Sequence, residues 1–121
     1  MTPRETIDAY YVRANSGEWD SWCDLFTDDQ VMDEQLAGHI ETLATLRSMM
    51  KGMKGMYSKF QNVPKHILVS GEEGAVVSHI SATTPAGVTI EANVMNYFRF
   101  RDGKICYMAN FHDSAPFKPA P

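Results

Sequence analysis

The chain has 121 residues, which is enough for one domain with its own core but not for two. Its composition, 44% apolar and 21% charged, excludes an intrinsically disordered chain. The formal net charge of −4 and the scatter of the basic residues exclude the positive surface that nucleic acid or an anionic membrane would require.

The first predicted element is a helix that begins at the N-terminus. Thr2 can cap this helix, Pro3 suits its first position, and Glu5 completes a capping box. Apolar residues then recur at the i, i+3, i+4 and i+7 spacing of one helix face, at Ile7, Tyr10, Tyr11 and Ala14. The Asn-Ser-Gly sequence of residues 15–17 ends the helix.

A second, shorter helix and one strand are predicted before a long helix. The second helix has the same spacing at Trp19, Trp22, Cys23 and Phe26. The polar residues 27–29 predict a turn, residues 31–35 a short strand, and residues 36–38 a break. From residue 41 to about residue 60 an apolar stripe predicts a long helix, in which Gly52 and Gly55 mark a bend or a close approach to a sheet.

After the long helix the apolar period changes from 3.6 to 2, which predicts four strands. These cover residues 63–70, 75–84, 88–101 and 104–113 and are joined by Gly-, Pro- and Asp-rich turns. Helices followed by an antiparallel meander predict one α+β domain with the helices on one face of the sheet. The domain spans residues 1–121, with a core of about 3–114 and a loose Pro-rich tail of 115–121.

Two absences further limit the class of protein expected. No apolar run reaches the ~18 residues of a spanning helix, and the N-terminus lacks a signal-peptide core, so we expect a cytoplasmic protein without membrane association. Cys23 and Cys106 are far apart in sequence and form no CxxC motif, so we expect free thiols.

Three local strings support a family resemblance. Tyr-Tyr-Val-Arg-Ala-Asn-Ser-Gly-Glu-Trp-Asp, Leu-Phe-Thr-Asp-Asp-Gln-Val and Tyr-Phe-Arg-Phe-Arg-Asp-Gly-Lys-Ile, in this element order, resemble the SnoaL-like and ketosteroid-isomerase-like branch of the nuclear-transport-factor-2-like superfamily. The resemblance covers about residues 3–114. It implies a cone-shaped α+β fold of the cystatin-like kind, in which a curved antiparallel or mixed sheet with three N-terminal helices wraps round a cavity. The superfamily includes isomerases, cyclases, dehydratases, epoxide hydrolases and non-enzymatic binders, so the resemblance implies a fold more than a reaction.

The resemblance to the ketosteroid isomerases suggests three catalytic residues. Glu34 falls where those enzymes have their catalytic carboxylate, although a solvated glutamate at a strand end would show the same pattern. Tyr10 falls at their oxyanion-binding tyrosine, and a core tyrosine is the alternative. Asn96 interrupts the apolar face of its strand and falls where those enzymes have a protonated aspartate. A buried amide must be hydrogen-bonded, either by a neighbour or by a ligand.

The last strand adds two more catalytic candidates. In the isomerase register His112 faces the cavity, whereas a resemblance to limonene epoxide hydrolases places a catalytic aspartate at Asp113. A strand-end histidine and a capping aspartate are the alternatives. Residues expected to line the cavity are Met32, which shares a face with Glu34, together with Trp22, His79, Phe98, Met108 and Asn110.

No cofactor or metal is expected. The four histidines lack metal-ligand spacing, and there is no Gly-rich phosphate loop and no G-x-S-x-G motif. The leading hypothesis is therefore a cofactor-independent isomerase, cyclase or dehydratase that acts on a steroid- or polyketide-like carbonyl compound. In it Glu34 or the His112–Asp113 pair removes a proton α to the carbonyl, and Tyr10 and Asn96 hold the enolate oxygen. A non-catalytic binding module of the same fold is the alternative.

A homodimer is expected through the outer face of the sheet. We assign Met95, Tyr97, Ile105, Tyr107 and Phe111 to this face, among the charged residues Glu91, Arg99 and Arg101. Pairing through the sheet is what the family resemblance implies.

Overall fold

The computed structural model describes residues 1–118. Helix α1 (Pro3–Asn15) begins as predicted: the Thr2 hydroxyl accepts a hydrogen bond from the Glu5 amide at 3.2 Å, and the Glu5 carboxylate accepts one from the Thr2 amide at 2.8 Å. Helix α2 (Trp19–Cys23) follows with Trp22 and Cys23 buried and Trp19 half-buried, but Phe26, predicted on the same helix face, begins the next strand instead. The start of α1 and its buried apolar face match the sequence prediction because the caps and the apolar spacing are local signals.

The next segment differs from the prediction. Strand β1 (Phe26–Glu34) runs through the polar residues expected to form a turn, and a further strand, β2 (Gly38–Glu41), pairs with it antiparallel. Strand β1 also pairs in parallel with the last strand. Residues 31–33 pair on both sides, whereas Asp28 and Asp29 lie where the register with the last strand shifts, and their side chains are exposed. The polar residues predicted as a turn thus form an irregularity within the strand.

The predicted long helix is interrupted. Helix α3 (Leu43–Met50) ends before Gly52, helix α4 (Met53–Met56) is a single turn, and Lys59 already begins strand β3. The glycines therefore mark a real break, consistent with the cost of about 1 kcal/mol that glycine adds in a helix interior.

Six strands of the described chain form one curved, unclosed mixed sheet. The remaining strands are β3 (Lys59–Ser70), β4 (Glu73–Thr83), β5 (Thr89–Arg101) and β6 (Lys104–Phe111). The strand order is β2-β1-β6-β5-β4-β3, and β3 to β6 form the predicted antiparallel meander. The α+β class is therefore confirmed.

One face of this sheet carries the core. In strand β5 every second residue is buried, the others are exposed apart from the half-buried Tyr97, and the buried Phe98 and Phe100 share one core cluster with residues of α1, α2 and α3. The interior is filled by side chains, which include Ile7, Tyr10, Trp22, Met32, Phe98 and Met108.

Two predictions near the C-terminus need correction. The register of β5 against β6 shifts after Arg99, so Ile105 lies opposite Phe100 and is fully buried rather than on the outer face. The first residues of the predicted loose tail form a 3₁₀ turn (Ala115–Phe117), and the Phe117 ring packs on the His112 ring at a centroid distance of 4.9 Å. Residues 119–121 of that tail lie outside the described residues. Both cysteines are free thiols, with Cys23 buried and Cys106 half-buried.

Candidate functional site

A buried polar network crosses from the sheet to α1. The Asn96 side chain, 1% exposed, donates from Nδ2 to the Tyr11 hydroxyl at 2.9 Å and to Ser78 Oγ at 3.2 Å. Both amide hydrogens of Asn96 are thus used within the protein, so the group is not free to hold an enolate oxygen as predicted. Burial raises the pKa of Tyr11 well above its usual range, so this phenol stays protonated.

Tyr10 lies beside this network but is packed by rings. Its ring contacts Tyr11 at 4.8 Å, Trp22 at 5.3 Å and Phe98 at 5.3 Å between centroids. Burial raises the pKa of Tyr10 well above its usual range, and the charges of Tyr11 and Glu34 raise it further. Tyr10 is therefore a neutral phenol with its proton available for donation.

Glu34 ends β1 and is half-buried. Its Oε2 atom accepts hydrogen bonds from the amide of Leu36, at 2.9 Å, and from the amide of Ala37. These bonds fix the carboxylate at the β1–β2 turn, while Oε1 makes no hydrogen bond within residues 1–118. Burial first, and the Glu34 charge after it, raise the pKa of both Tyr10 and Tyr57.

Trp22 adds a donor that has no acceptor. The residue is 4% exposed, its ring lies 5.3 Å from Tyr10 and 4.7 Å from Phe26, and its indole N–H has no hydrogen-bond partner in the described chain. A buried donor without an acceptor costs about 1–3 kcal/mol. Tyr10 and Trp22 thus place two protonated donors side by side in the interior, while the Glu34 carboxylate lies half-buried at the β1–β2 turn.

The predicted cavity wall is instead part of the packed core. Met32 is 5% exposed, Phe98 0% and Met108 1%, and all three belong to the same buried cluster. Alternation placed these residues on the correct face, but that face is covered by the rings of α1 and α2. The sequence could show which face is apolar but not whether helices fill the space above it.

An open cleft lies next to this interior, between the α1–α2 turn and the segment from α3 to β3. It has a volume of about 1150 Å³. Its lining includes Trp19, Met50, Met53, Tyr57 and Phe60. Sequence reasoning missed this site, because the long helix predicted up to Phe60 left no gap there. The Gly52–Gly55 spacing was the signal that could have revealed it.

The end of β6 does not form the predicted acid–base pair. The Asp113 carboxylate is exposed and accepts a hydrogen bond from the Ala115 amide at 2.9 Å, at the start of the 3₁₀ turn. The His112 Nδ1 atom lies 2.8 Å from the main-chain oxygen of Asp113. Asn110 accepts a hydrogen bond from the Gln35 amide at 2.8 Å and so lies beside the strand end that carries Glu34.

The predicted cavity position of His79 is wrong. Its side chain lies on the outer face of the sheet, where its ring nitrogens contact Asn93 Oδ1 at 2.8 Å and Glu91 Oε2 at 2.6 Å. Ser81 donates to the same Glu91 oxygen at 2.7 Å. Both faces of β4 carry small and polar residues, so alternation along the strand could not predict on which face of the sheet His79 lies.

Residues 1–118 contain neither a membrane-spanning helix nor a cluster of metal ligands. No helix in this range has the length and hydropathy to cross a bilayer. No group of three or more His, Cys, Asp or Glu side chains in the same range is placed to hold a metal ion.

Comparison with known proteins adds a family and a fold. A family model described as the SnoaL-like domain matches residues 7–108. No curated protein matches the chain. Among solved structures, a putative polyketide cyclase from Pseudomonas putida KT2440 superposes with a TM-score of 0.87 at 20% identity, over 97% of this chain and 96% of that chain.

Two further structures have a related fold and contain small molecules. TerC, co-crystallised with polyporic acid, gives a TM-score of 0.83 at 17% identity, over 95% of this chain and 94% of that chain. A protein of ketosteroid-isomerase-like fold from Catenulispora acidiphila, in complex with trimethylamine, gives a TM-score of 0.80 at 12% identity, over 92% of this chain and 86% of that chain. At these identities the likeness concerns the fold.

Proposed function

Because the chain belongs to the SnoaL-like domain family, we propose that it is a small-molecule enzyme that removes a proton α to the carbonyl of an apolar substrate. The observation that carries this proposal is the half-buried carboxylate of Glu34, which the Leu36 and Ala37 amides hold through Oε2 while Oε1 makes no hydrogen bond within residues 1–118. Such a carboxylate supplies the base, and the buried Tyr10 hydroxyl and Trp22 N–H supply the hydrogen-bond donors, that enolate formation requires.

The proposed reaction proceeds in two proton transfers. Glu34 Oε1 takes the α-proton, and the electrons of the broken C–H bond form an enolate. Tyr10 and the unpartnered indole N–H of Trp22 stabilise the enolate oxygen, in place of Asn96, whose amide is already used. Return of the proton from Glu34 to another carbon completes an isomerisation, and attack of the enolate carbon on a second carbonyl would give a cyclisation.

The test compares Glu34→Gln with wild type. Glutamine keeps the oxygen that accepts the Leu36 and Ala37 amides, so the turn should hold while the base is lost. We expect hydrogen–deuterium exchange at the α-carbon of a β,γ-unsaturated steroid ketone or an aromatic 1,3-diketone to fall by about 10²–10⁴-fold, with thermal-shift binding retained. Glu72→Gln, at an exposed turn, is the matched control and should leave exchange unchanged. Equal exchange in wild type and Glu34→Gln would refute the role of Glu34.

A specific observation favours a second candidate, a non-catalytic binding module. The residues expected to line the cavity are packed against one another, and substrate would have to displace them to reach Tyr10. If wild type and Glu34→Gln bind these ketones equally and neither catalyses exchange, the binding module replaces the enzyme. TerC, which has a similar fold and was co-crystallised with polyporic acid, supports the binding of a small molecule by a protein of this fold.

We further propose that two copies pair through the outer face of the sheet. Met95 and Phe111 lie opposite each other there and are 41% and 60% exposed. Exposed apolar pairs of this kind favour burial against a partner. Sedimentation velocity would give a dimer, and a monomer at all concentrations would contradict the proposal.

A further inference from the structure

The cleft between α2 and the α3–β3 segment combines an aromatic wall with unpaired positive charge. We propose that this cleft is itself a binding site, separate from the chemistry at Glu34, and that it takes a planar aromatic anion such as an aryl carboxylate or a phenolate.

The aromatic wall is continuous and half-buried. Trp19 and Phe60 lie 5.8 Å apart between ring centroids at an interplanar angle of 65°, and Tyr57 and Phe60 lie 5.7 Å apart. Met50 and Met53 complete the apolar lining. Rings that already pack on one another but remain partly accessible offer a flat ligand a preformed surface, and methionine adapts to its outline.

The charge on the cleft comes from Lys51, Lys54 and Lys59, which are three of the six lysines in the chain. Within residues 1–118, none of these three ammonium groups lies within 4.0 Å of a carboxylate, whereas Arg47 and Arg101 are each paired with an aspartate. Glu18 and Asp20 also line the cleft, so its three lysines leave a net charge of +1 in a protein of formal charge −4. It favours an anion at that rim of the cleft.

The opposite wall determines the orientation of the ligand. The acidic residues of the cleft, Glu18 and Asp20, lie on the α2 side, and the lysines lie on the α3–β3 side. A bound anion would therefore direct its charge to the lysines and lay its ring along Trp19 and Phe60. The volume of about 1150 Å³ admits several fused rings.

The test uses two ligands of equal shape, 2-naphthoate and the neutral 2-naphthamide, with isothermal titration calorimetry on the full chain. We expect naphthoate to bind more tightly than naphthamide, and the difference to shrink at high salt. Lys54→Gln should weaken naphthoate binding about 1.5- to 5-fold and leave naphthamide binding unchanged. Lys104→Gln, which removes a lysine outside the cleft, is the matched control.

Location is read from the two indole N–H signals in a ¹H–¹⁵N spectrum. Trp19→Phe assigns these signals, and we expect the Trp19 signal to move on addition of naphthoate. Any of three results would overturn the proposal. These are equal affinity for naphthoate and naphthamide, no naphthoate binding at about 1 mM ligand, and an effect of Lys104→Gln on naphthoate binding equal to that of Lys54→Gln. Glu34→Gln should still bind naphthoate. If the exchange test refutes the proposed enzyme, naphthoate binding in the cleft is therefore unaffected, and the two failures can be told apart.

Discussion

Replacing Asn96 by alanine tests the buried network that joins β5 to α1. The change removes two hydrogen bonds, to Tyr11 at 2.9 Å and to Ser78 at 3.2 Å, at a position that is 1% exposed. Each bond contributes about 0.5–1.5 kcal/mol, and the lost side chain leaves a void behind. We therefore expect the free energy of unfolding to fall by about 2–4 kcal/mol.

The same network predicts how two substitutions combine. Tyr11→Phe leaves one amide hydrogen of Asn96 without its acceptor and should cost about 1–2 kcal/mol. In the double variant the Tyr11–Asn96 bond is lost only once, so the total should be smaller than the sum by about 1 kcal/mol.

Urea unfolding, followed by circular dichroism, measures all three variants. Asn93→Ala is the control, because it changes the same residue type on the same strand but on the exposed face, where only the contact with His79 is lost, and it should cost less than about 1 kcal/mol. A cost of Asn96→Ala no larger than that of Asn93→Ala, or strict additivity with Tyr11→Phe, would refute the network as a source of stability. Asn96 would then be available to a ligand, as the sequence first suggested.

Two further predictions concern packing and pH. A Cβ at Gly74 would lie 2.8 Å from an isoleucine methyl group of α1, so Gly74→Ala should lower stability by about 1–2 kcal/mol in thermal unfolding. Gly55→Ala is the control and should not lower stability, because the space beside Gly55 is open. On the outer face, the hydrogen bond to Asp33 raises the pKa of His39, while hydrogen bonds from Tyr107 and then His39 lower the pKa of Asp33. This contact should stabilise the β1–β2 hairpin fully between pH 3.8 and pH 6.5, the ordinary pKa values of the two groups. The stabilisation is lost as pH rises through the raised pKa of His39, and also as pH falls through the lowered pKa of Asp33. An NMR titration should therefore show a lower His39 midpoint in Asp33→Asn, and an unchanged midpoint would contradict the contact.

Local signals in the sequence were sufficient for much of the fold. The capping box at Thr2 and Glu5 fixed the start of α1, and the alternation of strand β5 fixed which of its residues are buried. Both are determined by residues a few positions apart, so no knowledge of distant contacts was needed. The α+β class and the meander follow from the order of these elements.

The candidate site depended on contacts between distant segments. Tyr10 and Tyr11 differ by one position on α1, and only the docking angle of the helix decided that Tyr11 meets Asn96 while Tyr10 is enclosed by rings. In the same way, only the parallel pairing of Phe26 and of residues 31–33 with β6, on either side of residues 27–29, extended the strand through the predicted turn.

The sequence by itself thus determined the apolar faces, the start of α1 and the class of fold, because each depends on residues only a few positions apart. Tertiary structure alone decided that helices fill the interior, that His79 faces outward, and that the cleft opens where the long helix breaks. These features depend on how elements far apart in the chain pack together, and the free energy of that packing has no local signature in the sequence.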